Sequence, residues 1–281
     1  TAAIAFGGYR DVPPDTYYAN TELYDGTSWT EVNDLGTGRV GIRGSGTSTS
    51  AIGSGGDTGP AQVALSESWN GTNWTEVNDL NQARTAAGAA GADNTSSLIF
   101  GGNLASTLYG LTETWNGSNW TEVNNLNTAR SNVVGTGTAT AALAFGGLNP
   151  TSSYKTETES WNGTNWTEVS DLNTARSRMG AAGTVPAALG FGGQISTAAV
   201  SALTEEWNGT SWTETSDLGT ARMELGGRGT TSNALAFAGK ATATTAVTEE
   251  WTGAGVSVGA WTTVNSMNTA RQLLGSAGTY T

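Results

Sequence analysis

Six tandem repeats, each with four short strand signals, predict an all-β chain: a six-bladed β-propeller of four-stranded antiparallel blades. Three observations carry this. Segment 69–84 reads WNGTNWTEVNDLNQAR, segment 161–176 reads WNGTNWTEVSDLNTAR, and related segments start at Tyr24, Trp115, Trp207 and Trp251. The six starts are spaced by 45, 46, 46, 46 and 44 residues, the period of a propeller blade. An apolar run ending in Gly-Gly keeps the same rhythm over 3–8, 98–102, 143–147 and 189–193, with weaker copies at 51–56 and 235–239. Third, the two ends of the chain carry complementary halves of one repeat.

Within each unit the first strand signal follows a Thr-Ala-Arg triplet or its variant and is rich in Gly and Ala, as in SRMGAAGT over 177–184. Small residues suit the innermost strands, which converge on the propeller axis where side-chain space runs out. This also accounts for Gly46, Gly91, Gly137, Gly183, Gly229 and Gly278 without invoking a ligand. The second signal is the apolar run before Gly-Gly. The third is the alternating Thr-Glu-x-Trp stretch and the fourth is Trp-Thr-Glu-Val; alternation and β-branched residues favour strands at both. Between them stands Asn-Gly, whose residues accept the positive φ angles of a hairpin turn. The chain opens at 1–8 on a second strand without its first and ends at 270–281 on a first strand without its second. Pairing the two completes a blade and hides edge strands that would otherwise invite aggregation. One domain over 1–281 is expected.

Composition narrows function. The 281 residues include no cysteine and no histidine, so disulfides, thiolate metal sites and imidazole chemistry are excluded. No metal or other cofactor is expected. The net charge of −12 has the wrong sign for a phosphate-binding stripe, so nucleic acid is not an expected partner. No apolar run approaches the roughly 20 residues that cross a bilayer, and no membrane insertion is expected.

Residues recurring in every repeat are most simply scaffold. Trp69, Trp115, Trp161, Trp207 and Trp251 share one position with Tyr24; Trp29, Trp74, Trp120, Trp166, Trp212 and Trp261 share another. Large rings at fixed repeat positions bury much area between blades. Six arginines (Arg39, Arg84, Arg130, Arg176, Arg222 and Arg271) and six glutamates (Glu22, Glu67, Glu113, Glu159, Glu205 and Glu249) recur likewise. Equal numbers of opposite charges point to six buried, bidentate arginine–carboxylate pairs. The alternative is a cationic ring near the axis that captures an anion.

The order of markers, from the arginine through the glycine-rich strand, Gly-Gly, Glu-x-aromatic and the second Trp, resembles the kelch repeat over the whole chain. The resemblance implies the propeller and a structural role for the repeat glutamate and arginine; it implies no activity, because kelch propellers host unrelated functions. A kelch-type copper oxidase would need histidine and a Cys–Tyr pair, both ruled out by composition. Sialidase-like propellers need clustered arginines, whereas these are spread one per repeat. Glu205–Glu206 and Glu249–Glu250 are strand neighbours that point to opposite faces, so they form no glycosidase pair. A glycan-processing enzyme is the least favoured reading.

Function is expected where the repeats differ. The second-to-third connections span 9–21, 57–66, 103–112, 148–158, 194–204 and 240–248, and hold Tyr9, Tyr17, Tyr18, Tyr109 and Tyr154, five of the seven tyrosines. Tyrosine brings contact area and a hydroxyl at low entropic cost. Two residues after each repeat arginine stands another variable position: Gly41, Ala86, Asn132, Arg178, Glu224 and Leu273. Some kelch substrate adaptors hold acidic peptides with arginines at a similar place; here Arg178 alone matches. The expected binding residues are Arg10, Tyr17, Tyr18, Tyr109, Tyr154, Lys155 and Arg178, rather than the monotonous Asn-Gly hairpins, enlarged only at 252–260. The Thr-, Ser-, Asn-, Gly- and Ala-rich, lysine-poor composition resembles repeat regions of bacterial surface proteins and of phage virion or fibre proteins. The expected role is therefore a non-enzymatic recognition or structural module, extracellular or on a virion. Its expected partner is a protein or glycan on a cell surface, or a neighbouring virion protein. An intracellular kelch-type adaptor is the alternative.

Overall fold

The structure, a computed structural model, describes residues 2–10, 16–253 and 259–279. Among these it is all-β, and six four-stranded antiparallel sheets form the blades of a propeller. Blade one is built from Arg43–Gly46, Ala51–Ser54, Ser66–Trp69 and Trp74–Val77, and the next four blades repeat this order along the chain. Blade six takes Gly275–Thr279 as its innermost strand, followed by Ala2–Phe6, Thr21–Tyr24 and Trp29–Val32. The closure expected from the chain ends is thus present, in antiparallel register from Ala2 opposite Thr279 to Phe6 opposite Gly275. The six innermost strands touch one another in a closed cycle around the axis.

The two tryptophan positions do different work. The first donates its indole N–H to the turn between the first two strands of its own blade, as Trp69 does to Ser48 O at 3.0 Å and Trp161 to Ala139 O at 3.0 Å. The second reaches back to the preceding blade. Trp212 donates to Thr158 Oγ1 at 3.1 Å, and the same bond recurs for Trp29, Trp74, Trp120, Trp166 and Trp261 with a Thr or Ser that begins the third strand of the blade before. Its ring also packs on a phenylalanine there: Phe6–Trp74, Phe100–Trp166, Phe145–Trp212, Phe191–Trp261 and Phe237–Trp29 have ring centroids 4.6–5.0 Å apart. Such geometry contributes about 0.5–1.5 kcal/mol per pair beyond area burial. Blade one departs from the rule, with Ser54 in the phenylalanine position.

The double glycine is a backbone device. Gly147, the second of its pair, has φ of 108° and donates to Arg176 O at 2.9 Å; a Cβ on Gly146 would lie 2.5 Å from that same carbonyl. The pair therefore docks the end of the second strand against the connection leaving the blade, at an approach that side chains would block.

Candidate functional site

Each repeat arginine sits in the connection that enters a blade and is fully buried. It reaches outward to the glutamate on the third strand of that blade: Arg39–Glu67 at 2.7 Å, Arg130–Glu159 at 2.8 Å, Arg176–Glu205 at 2.6 Å and Arg271–Glu22 at 3.1 Å, with Arg84–Glu113 and Arg222–Glu249 arranged alike. The contact is not the expected two-pronged one. In Arg130, Nη1 is drawn to Gly146 O at 3.0 Å and Glu157 O at 2.6 Å, leaving Nη2 for one carboxylate oxygen. The other oxygen accepts the backbone N–H of Asn127 at 2.8 Å. Buried carbonyls and an orphan N–H thus share the terminal nitrogens and the carboxylate between them, while the buried Nε of Arg130 is left without a hydrogen-bond partner. Burial lowers the arginine pKa values, and the paired glutamates pull them back up. None of the six lines the channel, so they supply no cationic ring to the axis.

The residue two places further on turns the chain into the innermost strand. It is left-handed in every blade: φ is 66° at Gly41, 55° at Ala86, 51° at Asn132, 57° at Arg178, 59° at Glu224 and 52° at Leu273. Backbone hydrogen bonds link these residues around the axis. The N–H of Gly41 donates to Leu273 O at 2.8 Å, Asn132 to Ala86 O at 2.7 Å, Arg178 to Asn132 O at 3.2 Å, Glu224 to Arg178 O at 2.8 Å, and Leu273 to Glu224 O at 3.0 Å. All six line one open mouth of the channel, with Asp57 and Asn103 from the second-to-third loops. The mouth holds about 390 Å³. Arg178 and Glu224, on adjacent blades, form an ion pair at 2.9 Å across it. The opposite mouth is lined by the six glycines at or near the ends of the innermost strands, together with Ala and Thr residues and Arg228.

Of the seven binding candidates, Arg178 alone lines the mouth. Arg10 and Tyr17 lie on a two-stranded ribbon, Tyr9–Arg10 with Thr16–Tyr17, that rises from the first of the variable loops. Tyr17 is 36% exposed and packs against Tyr9, ring centroids 5.5 Å apart. Tyr18, Tyr109 and Lys155 occupy one repeat position, where their carbonyls accept the N–H of Arg39, Arg130 and Arg176. The side chain of Lys155 pairs locally with Glu157 at 2.6 Å. Tyr154 forms an isolated bridge with Leu148. The four tyrosines are therefore spread around the rim, not gathered into one site. Of the enlarged hairpin at 252–260, residues 254–258 lie outside the described residues.

Sequence reasoning passed over two further arginines, Arg43 and Arg228, which project from innermost strands into the channel itself. Aligning the repeats inside the glycine-rich strand exposes them, since equivalent positions carry Gly or Val for Arg43, and Ala, Ser or Thr for Arg228. Among the described residues no group of three His, Cys, Asp or Glu is placed to hold a metal ion. No protein-family model matches the chain, and no curated protein matches it.

Proposed function

We propose that this propeller is a non-enzymatic recognition module of kelch type that engages its partner at the mouth ringed by Gly41, Ala86, Asn132, Arg178, Glu224 and Leu273. One observation carries the reading. Left-handed backbone costs a non-glycine residue about 1–2 kcal/mol, and Gly41 shows that the scaffold accepts glycine there. Five blades nevertheless keep side chains, all different. Strain held at one place while the scaffold repeats faithfully is the mark of a site kept for contact rather than for packing. Five different side chains, a glycine and the surrounding loops also give this face the asymmetry that the hairpin face lacks.

Composition supports an extracellular or virion-surface setting, with a cell-surface protein or glycan, or a neighbouring virion protein, as partner. The Arg178–Glu224 pair disfavours the intracellular adaptor reading, because the arginine placed to hold an acidic peptide already faces a carboxylate. The test is a glycan array and a panel of purified surface proteins, probed with the wild-type chain and with N132G/R178G/E224G/L273G. Loss of a ligand by a variant that melts normally supports the reading. Undiminished binding by that variant refutes it.

A further inference from the structure

Between the two mouths the channel holds a small cavity of about 60 Å³, walled largely by Gly, Ala, Val and Leu. Arg43 and Arg228 enter this space from blades one and five. Neither makes an ion pair with a carboxylate among the described residues, unlike the six repeat arginines. Arg43 donates from Nε to Ala87 O; Arg228 donates from Nε to Ser276 O at 2.9 Å and from Nη2 to Ser276 O and Gly44 O. That leaves both terminal nitrogens of Arg43, and Nη1 of Arg228, without a protein acceptor among the described residues. The two guanidiniums repel each other across the channel, and Arg178 at the entrance adds to the positive field on Arg43. Burial first, and this repulsion second, push the Arg228 pKa down to about 10. Burial also takes Arg43 to about 10, with Glu224 opposing and Arg178 assisting.

In four other blades the position of Arg43 is glycine, and a Cβ there would collide with the phenylalanine opposite: Gly88 with Phe100, Gly180 with Phe191, Gly226 with Phe237, Gly275 with Phe6. Blade three fits the smaller Val134 opposite Phe145. Blade one, where Arg43 pairs in register with Ser54, gives up that phenylalanine. It thereby loses the ring on which Trp120 would otherwise pack, a contact present at the five equivalent tryptophans. The exchange forfeits interblade packing and places in the channel a cation that Glu224 attracts but does not pair with, leaving its charge to be compensated.

We propose that the channel is a binding site for one small oxyanion, with Arg43 and Arg228 as its ligands and Arg178 at its entrance. Charge-assisted N–H···O bonds are strongest where water is excluded, and unspent guanidinium N–H groups match phosphate, sulfate or carboxylate oxygens. The site lies inside the channel and shares Asn132 and Arg178 with the outer mouth.

The probe is inorganic phosphate, with sulfate, acetate and chloride arms at matched ionic strength. The measurements are melting temperature and calorimetric titration on the wild-type chain, on R43G/S54F and on R228A. Both variants restore what other blades carry, so the fold has precedent for each. Phosphate is expected to raise the wild-type Tm saturably, beyond chloride, with one site per chain. Each variant should weaken that binding about tenfold or more. A preference for acetate over phosphate and sulfate would assign the same site to a carboxylate. A phosphate shift that does not saturate, or that persists unchanged in both variants, is surface exclusion of the salt and overturns the proposal, as does no shift beyond chloride.

Discussion

Arg271 donates to the carboxylate of Glu22 at 3.1 Å, joining residues 249 apart in sequence at the seam where the two chain ends meet. Its Nη1 also reaches Asn20 O at 2.7 Å, while the second Glu22 oxygen accepts the N–H of Asn268 at 2.7 Å. The device that ties each connection to the blade it enters is therefore reused to close the ring, beside the strand pairing of Gly275–Thr279 with Ala2–Phe6.

Removal of residues 275–281 tests that closure. Blade six then keeps three strands and presents an unpaired inner edge, a template for pairing with another chain. Aggregation, or loss of a single cooperative melt, is expected by light scattering and calorimetry. A monomer with an unchanged melting curve would rule out the seam as a structural element.

Arg130→Ala and Arg178→Ala separate scaffold charge from surface charge. The first strands Glu159 and two carbonyls in the interior, and one-sided losses of this kind cost about 3–5 kcal/mol. The second removes a side chain that is 30% exposed, but its partner Glu224 is nearly buried, so a smaller loss of about 1–3 kcal/mol is expected. Urea unfolding of both variants measures the difference. Equal, small effects would contradict the scaffold role of the buried pairs.

Thr158→Val tests the link between neighbouring blades. The substitution keeps shape but removes the hydroxyl that accepts from Trp212 Nε1 at 3.1 Å in a fully buried setting. An indole N–H left unsatisfied costs about 1–3 kcal/mol. Thr156→Val, on a partly exposed residue two positions earlier, is the control and should be nearly neutral. Equal stability of the two variants would show that the bond does not hold the blades together.

The blades and their closure were legible because a 45-residue rhythm, the Asn-Gly turns and the complementary chain ends all reflect backbone demands that every repeat must meet. The tryptophans read correctly as packing residues for the same reason. The arginine–glutamate geometry was less legible. Sequence shows that opposite charges recur, but not that Gly146 O and Glu157 O would claim one prong of Arg130. Left-handed backbone at Arg178, Glu224 and Leu273 was invisible, because nothing in those residue types announces positive φ. Arg43 and Arg228 carry no repeat signal, because each occurs once among the six units. The spacing of the tyrosines was equally illegible: residues close along the chain or in equivalent loops are carried to separate points of the rim.

The central claim, that the left-handed ring is kept for contact, is tested most directly by the stability and binding of N132G/R178G/E224G/L273G measured side by side. Glycine relieves about 1 kcal/mol or more of backbone strain per site, offset by lost side-chain contacts. The account predicts a melting temperature equal to or above that of the wild-type chain, together with loss of the ligand that the wild-type chain captures. A variant that keeps its ligand, or that loses stability sharply, would show the four side chains to be scaffold and contradict the claim.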